Sequence, residues 1–204
     1  MKPHSEACER NRDPILKVLQ EWFASAGTVL EIGAGTGQHA VYFARHLTHL
    51  TWLPTDREEN LPGIRQWVTE AGAANLHDPQ PLNVMSPHWP VSHADYVFTA
   101  NTAHIMSWIE VEAMFEGVGK VLREKGLFCL YGPVNREGRF TSESNRDFDA
   151  MLRARDPVMG IRDDQALIAL GSRCGLTFVA DNSMPANNRL LIWRAVRPAG
   201  HPAS

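Results

Sequence analysis

The sequence predicts an α/β protein with a seven-stranded, mostly parallel sheet, helices on both faces and an antiparallel C-terminal strand. Three observations predict it. Strand-like and helix-like segments alternate through the first two-thirds of the 204 residues, the pattern of parallel strands joined by helical crossovers. Thr28-Val29-Leu30-Glu31-Ile32-Gly33-Ala34-Gly35-Thr36-Gly37 is an apolar strand ending in an acid, followed by a glycine-rich turn and a helix-compatible segment to Leu47. That is the entry to a nucleotide-type site in an open sheet. The last two strand-like segments are joined without room for a helix, which implies an antiparallel pair.

Each element has a local reason. Asp13-Pro14 offers an N-cap and a first-turn proline, and Ile15, Leu16, Leu19, Trp22 and Phe23 follow at helical spacing. Val29 to Ile32 is the first strand. Thr51 to Asp56 is the second, with Pro54 awkward for a central position. Asn60 can cap a helix running to about Gly72. Pro81 to Val84 is a short third strand and Ala94 to Thr99 a fourth. Ser107-Trp108-Ile109-Glu110 is a capping box that opens a helix to about Glu124, with Gly126 as its stop. Leu127 to Tyr131 is the fifth strand. Helices are expected over Ser144–Arg155 and Asp163–Cys174, the second stopped by Gly175. Leu176–Ala180 and Leu190–Arg194 are the last strands, linked by Asp181 to Arg189.

Composition bounds the function. The chain fits one domain over 1–204, with 1–26 an N-terminal cap and helix, 133–160 a substrate-side insertion and 198–204 a tail that frays. Net charge is −3 without a polybasic run, so no nucleic-acid partner is expected. The N-terminus lacks an apolar signal region and no apolar run is long enough to span a bilayer, so the expectation is cytoplasmic with no membrane partner. Three cysteines, Cys8, Cys129 and Cys174, are odd in number and widely spaced, which suggests neither disulfides nor a zinc site. His46 and His49 have no partner pattern for a metal. Oligomeric state is not fixed by the sequence.

The spacing Gly33-x-Gly35-x-Gly37 departs from the dinucleotide fingerprint, whose third glycine would fall at Gln38. Glu31 closes the first strand, where ligands bind in such sheets. A pyrophosphate there would face a carboxylate, whereas an ammonium would be favoured. The string Glu31 to Gly37 resembles the first motif of the class I methyltransferases that use S-adenosylmethionine (SAM). Under that resemblance Glu31 meets the ammonium, Gly33, Ala34, Gly35 and Gly37 admit the cofactor to the backbone, and Asn101 lies near the transferring methyl. Asp56, nineteen residues past Gly37, suits ribose hydroxyls, or is a loop aspartate. Asn83 stands where the motif usually has an aspartate for the adenine amino group, or is a turn residue.

Asn101-Thr102-Ala103-His104 replaces the Asn/Asp-Pro-Pro-Tyr/Phe of amide and base methylases. His104 is either a general base or a packed histidine. For the substrate the candidates are Arg12, Tyr131, Asn135, Phe140, Asn187 and Asn188. Arg136, Arg139 and Arg146 join Arg12 as a possible clamp for an acidic group, or as solvated surface charge. The two asparagines are alternatively turn residues.

Ala7-Cys8-Glu9-Arg10-Asn11-Arg12-Asp13-Pro14-Ile15-Leu16, the Glu31–Gly37 loop with Gln38-His39, Asn101-Thr102-Ala103-His104-Ile105, Gly132-Pro133 and Met184-Pro185-Ala186-Asn187-Asn188 occur together. The combination resembles the methyltransferase-like 26 family, once labelled domain of unknown function 938, over nearly the whole chain. The resemblance implies a class I, Rossmann-like methyltransferase fold with SAM as cofactor. The function expected is methyl transfer to a small-molecule acceptor, with an acidic one suited to the arginines. The rivals are a SAM-binding module without catalysis and a nicotinamide oxidoreductase.

Overall fold

The computed structural model describes residues 2–196, so the tail 198–204 lies outside the described residues. In chain order the elements are α1 (Glu6–Trp22), β1 (Gly27–Ile32), α2 (Gln38–His46), β2 (Leu50–Asp56), a 3-10 turn (Glu58–Asn60), α3 (Leu61–Ala71), β3 (Gln80–Pro81), β4 (Ala94–Ala100), α4 (Trp108–Val121), β5 (Leu122–Asn135), α5 (Glu143–Arg155), β6 (Arg162–Asp163), α6 (Asp164–Arg173), β7 (Leu176–Met184) and β8 (Asn188–Ala195). The sheet runs β3-β2-β1-β4-β5-β8-β7, with β6 paired to β5 off that path. β1, β2, β3, β4 and β5 are parallel, and β8 is antiparallel to both β5 and β7. The expected mostly parallel sheet with a reversed C-terminal strand is present. The two-residue β6 makes eight strands where seven were expected.

Alternation along the strands builds two cores. Val29, Phe98, Leu127, Cys129 and Tyr131 face the layer that holds Ile15, Leu19, Phe43 and Ile64 of α1, α2 and α3. Leu30, Ile32, Val97, Phe128 and Leu130 face the layer with Phe115 and Val118 of α4 and Leu167 of α6. Both cores have aromatic centres. Phe43 meets Phe98 at 5.4 Å and Trp52 at 5.5 Å, and Trp193 meets Phe115 at 5.3 Å and Phe128 at 5.5 Å. Fully burying each such ring contributes roughly 1.5–3 kcal/mol.

Pro54 is accommodated without breaking β2. Trp52 takes both ladder bonds on the outer side, from its N–H to Asn75 and from His77 to its carbonyl, and Asp56 accepts from Leu82 on that same side. Pro54, between them, therefore directs its missing N–H outward, between the Leu76 bridge and the start of β3 at Gln80. β3 is itself only two residues long, so the expected strand through Val84 is cut short.

Other boundaries differ from expectation for physical reasons. α1 begins at Glu6, one turn and more before Asp13-Pro14, because the Ser5 hydroxyl accepts from the Cys8 N–H and caps it. Pro14 sits inside the helix and forfeits one backbone bond. The early turns are held instead by Gln38, whose side chain accepts from the Ser5 N–H at 2.6 Å and donates to Glu9 at 2.8 Å. α4 stops at Val121, because Leu122 already pairs with Ala94. Gly126 is not its stop: a Cβ there would lie 2.8 Å from the Asp95 carbonyl, so the glycine lets β5 approach β4. The expected 181–189 linker contracts to residues 185–187, since Met184 and Asn188 already pair.

Candidate functional site

A cavity of about 1230 Å³ opens at the C-terminal ends of β1 and β4, where the strand order reverses. Open sheets bind ligands at this switch point. The glycine loop forms one wall. Its residues adopt left-handed backbone at Gly33 (φ 72), Gly35 (φ 59) and Gly37 (φ 87). A Cβ at Gly33 would run into the Thr102 methyl, and one at Gly37 would lie 3.1 Å from Ile64. At Gly35 a Cβ would meet nothing within 4 Å, and this residue lines the cavity.

The loop spends its donors on the protein. Gly33 and Ala34 N–H groups both donate to the Thr55 carbonyl at 2.9 Å, Gly35 donates to Asp56 Oδ2 at 2.7 Å, and Gly37 donates to Ala34. Four backbone N–H groups of the loop, those of Gly33, Ala34, Gly35 and Gly37, are thereby already bonded within the protein. Asp56 is 8% exposed and lies on the wall. Its carboxylate also accepts from the Arg57 N–H at 2.7 Å and from Asn60 Nδ2 at 2.8 Å. Three of its roughly four lone-pair positions are occupied, which leaves room for one further donor. Asn60 is drawn into this cluster and gives α3 no side-chain cap.

Glu31 stands behind the wall. It shares a face of β1 with Val29 and points into the α1–α3 layer, where Trp52 Nε1 donates to its Oε2 at 2.7 Å. It is 1% exposed. Burial pushes its pKa up to about 8, with the Trp52 bond opposing and the Asp56 charge adding. At neutral pH Glu31 holds its proton. Asn83 and Asn101 both line the cavity. Asn83 Oδ1 accepts from the Met85 N–H at 3.0 Å, so it makes the turn contact and keeps its amide donors free. Asn101 is left-handed (φ 59) and its N–H donates to Tyr131 at 2.8 Å.

The loop after β4 is tied down on both sides. Thr99 Oγ1 donates to the Ile32 carbonyl at 2.7 Å and lies 2.6 Å from Thr102 Oγ1. Arg162 donates to the carbonyls of Ala103, Met106 and Val158. The His104 carbonyl accepts from Gly160, and its ring meets Phe148 edge-on at 5.2 Å. Burial, helped by the Arg162 charge, lowers the His104 pKa to about 4, so the ring on the cavity wall is neutral at pH 7.

The substrate candidates divide. Tyr131 and Asn188 line the cavity. Burial raises the Tyr131 pKa, against hydrogen bonding from Asn11 and Asn188. Arg12, Asn135, Phe140 and Asn187 do not line it. Arg12 pairs with Glu9 and lies 4.7 Å above the Tyr42 ring. The Asn135 side-chain oxygen is buried without a partner, and Phe140 is exposed. Asn187 stands in the turn between β7 and β8. It and Ala186 are left-handed at the hairpin tip, and its carbonyl accepts from Asn145 Nδ2 at 3.1 Å. The other clamp arginines also lie off the wall. Arg136 pairs with Asp181 at 3.5 Å and Arg146 with Asp147 at 3.3 Å. His46 and His49 rings sit at backbone carbonyls of Tyr42 and Phe23.

Sequence reasoning missed Cys8, Asn11, His39, Phe148 and Arg155, all on the wall. His39 Nε2 donates to Asn11 Oδ1 at 2.7 Å, which leaves Nδ1 facing Cys8 Sγ at 3.9 Å. The Ser5-x-x-Cys8 cap was the available signal for the early turns of α1. Phe148 and Arg155 are seven apart, two turns along one face of α5, a spacing visible in the sequence but not its direction.

Fold and switch-point cavity together define a Rossmann-like methyltransferase fold. An O-methyltransferase family protein from Burkholderia thailandensis matches with a TM-score of 0.81 at 18% identity, over 96% of this chain and 59% of that one. A methyltransferase of calicheamicin biosynthesis, in a form with bound S-adenosylhomocysteine (SAH), matches with 0.71 at 19% identity, over 84% and 49%. The YcgJ protein from Bacillus subtilis matches with 0.72 at 17% identity, over 93% and 100%. The chain thus spans less than two thirds of the length of the first two. The chain belongs to the family described as "Protein of unknown function (DUF938)", whose profile matches residues 2–195.

Proposed function

We propose that the chain is a SAM-dependent methyltransferase for a small-molecule acceptor, one domain over 1–204 with α1 as its cap and 133–160 as its substrate-side wall. The observation that carries the reading is the glycine loop. The Gly33, Ala34 and Gly35 N–H groups are committed to Thr55 and Asp56 of β2, and Asp56, the acid beside the loop, keeps a free lone-pair position. That suits a hydroxyl-rich, phosphate-free nucleoside and penalises a pyrophosphate, which disfavours the nicotinamide alternative. The resemblance to the methyltransferase-like 26 family belongs to the same reading, and so does the O-methyltransferase wording of the structural neighbours.

When bound, SAM supplies an electrophilic methyl on a positively charged sulfur. Gly35 leaves the space its side chain would take, Asp56 accepts a ribose hydroxyl, and Asn83 offers amide donors to a base. A ring nitrogen of His104, neutral at pH 7, takes the acceptor's proton as a weak base, or passes it to water. α1 and α5 cover the site, exclude water and hold the reactants in contact.

Calorimetry with SAM, SAH and NADH tests this. SAM and SAH should bind in the micromolar range and NADH should not. NADH binding without SAM binding would sink the proposal. SAM binding with no turnover on labelled SAM and cell extract would support the binding-module alternative instead.

A further inference from the structure

The two sides of the cavity differ in charge. The three carboxylates on its wall are Asp56, Glu59 and Glu110. The first two stand at the end of β2 and in the turn after it, and Glu110 is held towards them by Arg57 at 2.9 Å. On the α5 side no carboxylate lines the wall. Phe148, Met106 and Met159 supply apolar surface there, and His104, Asn145 and Asn188 supply neutral polar groups. Arg155 stands among them, on the same face of α5 as Phe148 and about 10 Å further along the helix. Among the described residues it makes no ion pair and no hydrogen bond, whereas Arg10, also on the wall, is 3.4 Å from Glu6.

A cationic acceptor on this side would meet like charge with no carboxylate to answer it. A neutral acceptor would gain no ion pair from Arg155, which is exposed in the last turn of α5, where its charge also suits the helix C-terminus. An anionic one would gain a charge-assisted, two-pronged hydrogen bond that no other wall residue on that side supplies. We propose that the acceptor carries an oxyanion group, carboxylate or phosphate, read by Arg155 on the side of the cavity that His104 and Phe148 line. The arginine stem is long and flexible, so the guanidinium can fold over a molecule seated between them. The proposal rests on the methyltransferase reading and names the substrate class for that same site.

The test uses the full chain saturated with SAH and three probes of one shape: 4-hydroxybenzoate, 4-hydroxyphenyl phosphate and the uncharged 4-hydroxybenzamide. Calorimetry should show one anion binding roughly threefold to tenfold more tightly than the amide, with the difference shrinking as salt is raised. The tighter of the two anions distinguishes carboxylate from phosphate. Arg155→Gln should erase the preference, Arg155→Lys should restore part of it, and SAH affinity should be equal in all three proteins. The proposal is overturned if neither anion outbinds the amide, or if Arg155→Gln keeps the preference. Failure of SAH itself to bind would remove the methyltransferase reading, and the proposal with it.

Discussion

Glu31→Gln should make the protein more stable, and by an amount that grows with pH. Glu31 is buried against Trp52, and its pKa is raised from 4.5 to about 8 by that burial. The folded state therefore holds a proton that the unfolded chain releases. A raised pKa contributes stability that is full below 4.5 and is lost as pH rises through about 8. Within that window this group alone lowers the unfolding free energy by about 1.4 kcal/mol per pH unit. The accumulated loss by pH 8 is on the order of 4 kcal/mol, a large share of a typical domain's stability. The substituted glutamine would keep the side-chain length and a carbonyl for the Trp52 N–H, but would never ionise.

His39 and His104 act in the opposite sense. Burial lowers both to about 4 from 6.5, so each contributes stability above 6.5 that is lost as pH falls towards 4. The native protein should thus be most stable near pH 6 to 6.5, where the rising histidine contribution meets the falling Glu31 one. Urea unfolding across about pH 5.5 to 8.5 reads this directly. The native curve should fall above pH 6.5 while Glu31→Gln stays level, the two separating by a few kcal/mol at the alkaline end. Parallel curves for the two proteins would refute the reasoning, because they would mean that Glu31 is ionised in the folded state.

Other outcomes follow from the cavity. Asp56→Ala should lower SAH affinity by roughly 1.5–3 kcal/mol in calorimetry, the worth of a hydrogen bond to a charged acceptor. Gly35→Val should abolish SAH binding, since its side chain would enter the cavity from a left-handed backbone position. With an acceptor in hand, Asn188→Ala should lower acceptor kcat/KM and leave SAH affinity near normal. Asn187→Ala, at the hairpin tip, should change thermal stability only, and an equal kinetic loss in both would contradict their different placement. Binding to DNA or RNA should be weak and lack a steep salt dependence, and tight salt-sensitive binding in a shift assay would contradict the charge reading.

Signals carried by neighbouring residues were legible. The Ser107–Glu110 capping box forms as expected, with Ser107 and Glu110 exchanging both bonds. The strand–glycine loop–helix at 27–46 and the terminal hairpin were legible for the same reason: each is specified within one short contiguous stretch of chain. Elements specified by distant partners were not. α1 extends through Pro14 because Gln38, on another helix, anchors its early turns. Gly126 reads as a helix stop until β4 is seen to press on it.

Glu31 falls between these cases, and it shows how a site can be misplaced by a residue identified correctly. Its position at the end of β1 suggested a tip that meets ligand. Strand parity says otherwise: Val29 and Glu31 share a face, and that face looks onto α2 and α1. Counting in twos from the apolar Val29 would have sent the carboxyl under the sheet and asked what donor waits there. Trp52, two residues before Pro54 on the neighbouring strand, is the answer, opposite Val29 in register and so on the same face. The acid is then a neutral, hydrogen-bonded strut beneath the glycine loop, and Asp56, one strand over, is the acid beside the loop that lines the cavity. A bound ammonium reaching Glu31 would have to draw off its proton. SAH affinity of the native protein would then rise with pH where that of Glu31→Gln stays flat. A pH-independent difference between the two would leave Glu31 as support for the fold alone.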